Sequence, residues 1–185
     1  MNYSILQTSI ISVFILFVGS TLAVEPTIPT EAPYIALSDN MDEPNGYGFC
    51  IDTYGPGKSE LMQTHTCKPK TAKDAPRNDP GHDVRFEYDP ITKRISSYAF
   101  EGVCMQVLIA KGKSEFALLD CSDHPHQKFV YKTADKTLRL DSDQHYCVAV
   151  DPELEEAGPW VKRGLNLVEC SKTESTLKQW DISPS

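Results

Sequence analysis

The chain has 185 residues, with 18 basic against 26 acidic side chains, a net charge of −8 and six cysteines. That acidic balance excludes the usual nucleic-acid binder, which asks for a basic stripe that this sequence lacks. With the apolar N-terminal segment set aside, about 160 residues remain, enough for one domain with its own core and short for two.

Met1 to Ala23 carries no acidic or basic side chain. It has an apolar stretch from Ile10 to Val18 and then the small residues Gly19, Ser20, Thr21 and Ala23 around Leu22. This reads as a secretory signal peptide (residues 1–23) with cleavage after Ala23. The apolar stretch is far short of the ~20 residues that a spanning helix wants, and no second one follows, so no membrane span is expected once the signal is removed. Residues 24–33, VEPTIPTEAP, cannot ladder and have little to bury, so an extended lead-in is expected there.

From Tyr34 the pattern changes, and it is an internal repeat. Gly48 to Cys67 reads as a strand with Cys50 and Asp52, a turn at Gly55, Pro56 and Gly57, and a second strand, Leu61 to Thr66, ending on Cys67. The same layout returns from Gly102 to Cys121, with Cys104 and Gly112 at the turn. It returns again from Tyr146 to Cys170, with Cys147 and a turn six residues longer. Equivalent units should close equivalently, so of the fifteen pairings open to six cysteines the repeat selects Cys50 with Cys67, Cys104 with Cys121 and Cys147 with Cys170. An oxidising, extracellular compartment follows.

Each copy also begins and ends alike. A short strand precedes the cysteine strand at Ile35 to Ser38, Arg94 to Ser97 and Leu138 to Asp141. An aromatic with an apolar residue two places on closes each copy, at Val84 to Tyr88, Gln127 to Tyr131 and Lys178 to Ile182, as a strand with one face in a core should show. Turns at Asp89 to Lys93 and Lys132 to Lys136 lead into the next copy. Twelve short strands in three units of four, with no helical periodicity, predict an all-β closed or nearly closed architecture with copies at about 34–92, 93–136 and 137–182 of a single domain, 34–185.

A cysteine pair, a glycine turn and a closing Q-x-W-like aromatic, three times over, resemble the ricin B-type lectin family, a β-trefoil of pseudo-threefold symmetry. The resemblance runs from about Tyr34 to Ile182. Q-x-W is degenerate here, as Val84-x-Phe86, Gln127-x-Phe129 and Lys178-x-Trp180, and the resemblance implies that Phe86, Phe129 and Trp180 fill the barrel core. In that family the sugar-binding carboxylate stands two residues after the first cysteine, a stacking residue two before the second, and an Asn just before Q-x-W. Carried over, the first copy offers Asp52 as the carboxylate, His65 at the stacking position and Asp83 at the Asn position. The second copy has Gln106 and Leu119 at the first two of these positions and the third has Ala149 and Val168, which cannot grip a sugar in the same way.

A sugar site has physical demands of its own: a flat side chain under the apolar face of the pyranose and polar groups along its hydroxyl rim. Asp52 and His65 are of the right kinds. Asp52 also suits a turn-stabilising role, capping a backbone N–H, and His65 as the platform would make binding pH-dependent between pH 5 and 8. Trp160 in the long third turn, near Asp151 and Glu153, is a second aromatic candidate, although such a residue more often packs on its own loop.

No nucleophile and base, and no singled-out pair of acids, mark an enzyme. His124, His126 and Asp123 resemble a metal clip without a completing ligand, and Asp141-Ser142-Asp143 lacks the Gly and distant Glu of a calcium loop. No cofactor or metal is expected. The basic residues Lys68, Lys70, Lys73 and Arg77 read as a solvated loop. No N-glycosylation sequon follows residue 23. The expectation is a secreted, non-enzymatic module that binds galactose-like glycans or a glycoprotein surface weakly through its first copy. The alternative is a sugar-inactive trefoil that binds a protein partner, as toxin receptor-binding subunits or inhibitors do, through the long Lys68 to Gly81 and Asp151 to Gly164 loops.

Overall fold

A computed structural model describes residues 23–55, 57–59, 61–69, 76–110 and 113–184. The expected leader, save Ala23, lies outside these residues, as do the turn residues Pro56 and Gly112 and the loop lysines Lys70 and Lys73. The described chain is all β, with three short 3-10 turns and no α-helix.

The strands are β1 (Tyr34–Leu37), β2 (Phe49–Thr53), β3 (Met62–Thr66), β4 (Phe86–Asp89), β5 (Arg94–Ser97), β6 (Val103–Ala110), β7 (Lys113–Asp120), β8 (Phe129–Lys132), β9 (Thr137–Leu140), β10 (Tyr146–Val150), β11 (Glu155–Ala157), β12 (Trp160–Glu169) and β13 (Trp180–Ser183). The closing strand of each copy pairs antiparallel with the opening strand of the next: β4 with β5, β8 with β9, and β13 back onto β1. This last pairing brings the end of the chain back onto its beginning. Three hairpins, β2 with β3, β6 with β7 and β10 with β12, complete the β-trefoil.

The threefold repeat is visible residue by residue at the cysteines. Each opening strand meets its cysteine strand at the first cysteine of the copy: Ala36 against Cys50, Ser96 against Cys104 and Arg139 against Cys147. The N–H of each second cysteine donates 2.9 Å to a carbonyl just ahead of its hairpin, on Gly48, Gly102 and His145. Disulfides then join Cys50 to Cys67, Cys104 to Cys121 and Cys147 to Cys170. Loops of this length closed in the unfolded chain contribute roughly 3 kcal/mol each on the chain-entropy account.

Counting from those cysteines gives the core. The residue before each pairing position is Ile35, Ile95 or Leu138, and the residue after each first cysteine is Ile51, Met105 or Val148. The closing aromatics are Phe86, Phe129 and Trp180, and all nine side chains are fully buried. Period-two alternation puts these residues on the inner face of their strands, and each contributes about 1.5–3 kcal/mol of burial. The aromatics expected in the core are therefore there.

One expectation needs correction. The long third turn is not a plain loop: it holds a thirteenth strand, β11, which pairs with the first residues of β12 (Glu155 with Lys162, Glu156 with Val161, Ala157 with Trp160). Gly158 at φ +65° makes the tight turn between them, a conformation that glycine adopts without cost to a side chain. On its other edge β12 pairs with β3, Lys162 against His65 and Arg163 against Thr64. The insertion in the third copy is thereby built onto the first.

Candidate functional site

The first hairpin fixes a row of polar side chains. Cys50 stands opposite His65 and Asp52 opposite Gln63. Residues two apart on a strand share a face, so Cys50, Asp52, Gln63 and His65 lie together on one side of the hairpin. The Cys50–Cys67 bridge anchors that row at one end.

Asp83 arrives from the loop that follows Cys67. The Lys68 ammonium donates to both of its carboxylate oxygens, at 2.6 and 2.7 Å, and to the Pro80 carbonyl at 3.2 Å. Lys68 was expected in a solvated loop, yet its side chain is only 17% exposed and is committed to this pair. The same loop is pinned further along by Tyr98. Arg77 donates to the Tyr98 carbonyl at 2.9 and 2.6 Å, and the Arg77 and Arg85 guanidiniums lie over its ring, 4.6 and 3.7 Å from the centroid.

Asp52, His65 and Asp83 line one cleft of about 440 Å³, together with Gln63 and Lys68. Tyr54 and Phe100 add aromatic surface, and Glu156, Ala157 and Lys162 form a wall contributed by the third-copy insertion.

The electrostatics are unusual at two of these residues. Asp52 is 2% exposed. Its Oδ2 accepts from Gln63 Nε2 at 3.3 Å, whereas the buried Oδ1 has no hydrogen-bond partner among the described residues. Burial, and then the nearby Asp83 charge, push its carboxyl up to about 7 against the opposing pull of Lys68; a charge out of water is disfavoured and a like charge adds to the effect. His65 moves the other way, its ring held below the usual range by burial. Its Nδ1 lies 3.1 Å from the Thr66 carbonyl. A carbonyl only accepts, so Nδ1 carries the hydrogen and Nε2 is left as an acceptor in the neutral ring.

The stacking position therefore holds a ring that is 7% exposed, while the open aromatic at the cleft is Tyr54, 61% exposed. The Lys162 ammonium sits 4.6 Å from the Tyr54 centroid and 3.2 Å from Glu155. Trp160 packs on Tyr47, ring centroids 6.3 Å apart, and does not line this cleft.

The sequence reading did not single out Gln63, Lys68, Tyr54 or the β11–β12 wall. Counting inward from Cys50 and Cys67 sets Asp52 against His65, whereas the actual register, offset by two, sets it against Gln63, so Gln63 was not within reach. Nor was the wall, since it rests on a pairing between copies.

Elsewhere the expected candidates have other engagements. Gln106 accepts from Gln127 at 3.0 Å and Ala149 is fully buried. Asp123 binds Arg94 at 2.7 Å and Lys128 at 3.3 Å, and the His124 and His126 rings meet edge to face at 5.1 Å. Asp141 pairs with Lys93 at 2.9 Å. Among the described residues no group of three or more His, Cys, Asp or Glu is placed to hold a metal ion, and no helix is long and apolar enough to cross a membrane.

No family model matches the sequence, and no curated protein matches it. Solved structures do. The β-trefoil lectin of the Vibrio vulnificus hemolysin/cytolysin, with N-acetyl-D-lactosamine bound, superposes with a TM-score of 0.53 at 12% identity, over 82% of this chain and 92% of that one. The C-half of an earthworm R-type lectin, in complex with GalNAc, gives 0.52 at 13% identity, over 82% and 97%. A mutant of the earthworm lectin's C-terminal domain, in complex with 6'-sialyllactose, gives 0.51 at 13% identity over the same shares. At such identities the likeness is one of fold, and the fold that this chain shares with these lectins is the β-trefoil.

Proposed function

We propose that the chain is a secreted carbohydrate-binding module of the ricin B type, with one working site, the first-copy cleft, that takes galactose-type sugar ends. The observation that carries this reading is convergence. Asp52, His65 and Asp83 line one cleft, and among the described residues no donor reaches Asp52 Oδ1. A buried acceptor without a donor is costly, and a sugar hydroxyl is the kind of donor that would complete it. Tyr54, rather than His65, offers the open ring for the apolar face of a pyranose. The sugars bound by the β-trefoil lectins of like fold support the same ligand class.

The module is non-enzymatic in this reading, since the cleft has a buried carboxyl beside a carboxylate already taken by Lys68 and no nucleophile activated by a base. Three disulfides suit an extracellular protein. One small site is expected to deliver roughly 4–5 kcal/mol, sub-millimolar to millimolar affinity, so useful avidity on a glycoprotein surface asks for several copies together.

The test is a glycan array followed by titration calorimetry, with wild type beside Asp52→Asn. Glycan binding by the wild type that the variant loses supports the proposal. Binding by neither overturns it in favour of a protein partner engaged through the long loops.

A further inference from the structure

Charged groups line the cleft with Asp52: Lys68 after β3, Asp79 and Asp83 from the following loop, and Glu156 and Lys162 from the β11–β12 wall, with neutral His65 beside them. Both lysines are spent. Lys68 grips Asp83 through two bonds, and Lys162 is drawn to Glu155 and the Tyr54 ring. Asp79 accepts the Gly81 N–H at 2.9 Å, and neither it nor Glu156 has an ion-pair partner among the described residues. Among the described residues the lining therefore carries more acid than base. Independently of that surplus, Asp52 is 2% exposed and its Oδ1 has no hydrogen-bond partner among the described residues.

Resting on the lectin reading above, we infer that this cleft selects sugars bearing a free ammonium group, hexosamines without their acetyl, over the corresponding neutral hexose. An ammonium supplies three donors and a positive charge, where a hydroxyl supplies one donor and none. Bonds to a charged donor are the stronger kind in a partly desolvated site. A cation also opposes the influence of Asp83 on Asp52, so the carboxyl that burial has pushed up ionises more readily with the amine beside it. The Lys162 ammonium over Tyr54 shows that the rim already accepts a cation on an aromatic face. An N-acetyl group removes the charge and adds bulk, so it forfeits the preference.

Calorimetric titration at pH 6.5 and low salt compares D-galactose, D-galactosamine, N-acetyl-D-galactosamine and methylamine. The expected result is galactosamine binding about tenfold tighter than galactose, the step from a neutral to a charge-assisted bond, with that margin shrinking in high salt. Galactose equal to galactosamine overturns the inference and leaves the lectin reading standing. Methylamine binding as tightly as galactosamine also overturns it, because the amine alone would then account for the affinity. No binding by any of the three sugars overturns the lectin reading, and the inference falls with it.

Discussion

Gln63 and Asp52 stand directly across the first hairpin from each other, and the Gln63 amide gives the Asp52 carboxyl one hydrogen bond, at 3.3 Å to Oδ2. That bond is little for a group so deeply buried, and burial pushes the carboxyl up to about 7 from the ordinary 3.8. Between those values the folded chain holds a proton that the unfolded chain has released. Its stability contribution is therefore full below the ordinary value and is lost as pH rises through about 7. Asp52→Asn keeps the shape and an acceptor for Gln63 but has no charge to bury. It should melt at a higher temperature than wild type at pH 8, with the difference gone near pH 4. Thermal scans at both values check this, and a variant that loses stability equally at both would contradict it.

Trp180 differs from its two counterparts in having a donor. Its Nε1 bonds the Val148 carbonyl at 3.0 Å from a fully buried position, where Phe86 and Phe129 have only rings. Trp180→Phe puts the ring of the other two copies into the third and leaves the Val148 carbonyl without this donor. We expect a loss of about 1–3 kcal/mol, the range for an abandoned buried partner, seen as a lower denaturant midpoint with unchanged slope. An unchanged midpoint would mean that a water replaces the indole.

The fold was legible because its markers are local and repeated. Cysteines 17, 17 and 23 residues apart close three hairpins, and an aromatic with an apolar residue two places on marks each closing strand. Asp52 and His65 were legible for the same reason, Asp52 standing two residues after the first cysteine of its copy and His65 two before the second. The cleft's far wall was not. Lys162 pairs with His65 across 97 positions, and nothing in the 151–164 stretch states which copy it will lean on. Burial was also hidden: His65 and Lys68 look like surface residues by type, and only the approach of the third copy and of Asp83 encloses them.

Gly164 is closely packed against its own copy. It sits opposite Gln63 on β12, and a Cβ there would come within 2.2 Å of Asp151 Oδ2. The other Asp151 oxygen accepts from Asn166 Nδ2 at 2.5 Å, so the carboxylate must leave that bond to make room. Gly164→Ala is expected to cost about 1–3 kcal/mol. Pairing it with Asp151→Ala, which empties the contested space, should give a coupling energy beyond simple addition; strictly additive effects would show that the clash is relieved some other way.

Lys68 neutralises Asp83 at the edge of the cleft, through side chains only 17% and 20% exposed. Lys68→Met preserves the length of the stem and removes the charge. Asp83 is then left partly buried with no cation, and the pull that Lys68 exerts on Asp52 against Asp83 disappears. Two consequences follow, with the same sign. Stability at pH 8 drops by about 1–2 kcal/mol, between the worth of a surface pair and the cost of breaking a buried one, and the part of the loss that runs through Asp52 is absent at pH 4, where that carboxyl is protonated in the folded protein. Asp52 also titrates higher than in wild type, so the decline of stability with rising pH starts from the same ordinary value but runs on to higher pH and goes deeper. Lys68→Arg should keep most of the wild-type behaviour, because a guanidinium satisfies a carboxylate through two parallel bonds. Adding Asp83→Asn to Lys68→Met should recover part of the loss at pH 8, since it removes the stranded charge. Denaturant titrations of the four proteins at the two pH values decide the matter: a pH-independent loss in Lys68→Met, unrelieved by Asp83→Asn, would show that Lys68 matters for its packed methylene stem and not for the charge that it carries into the cleft.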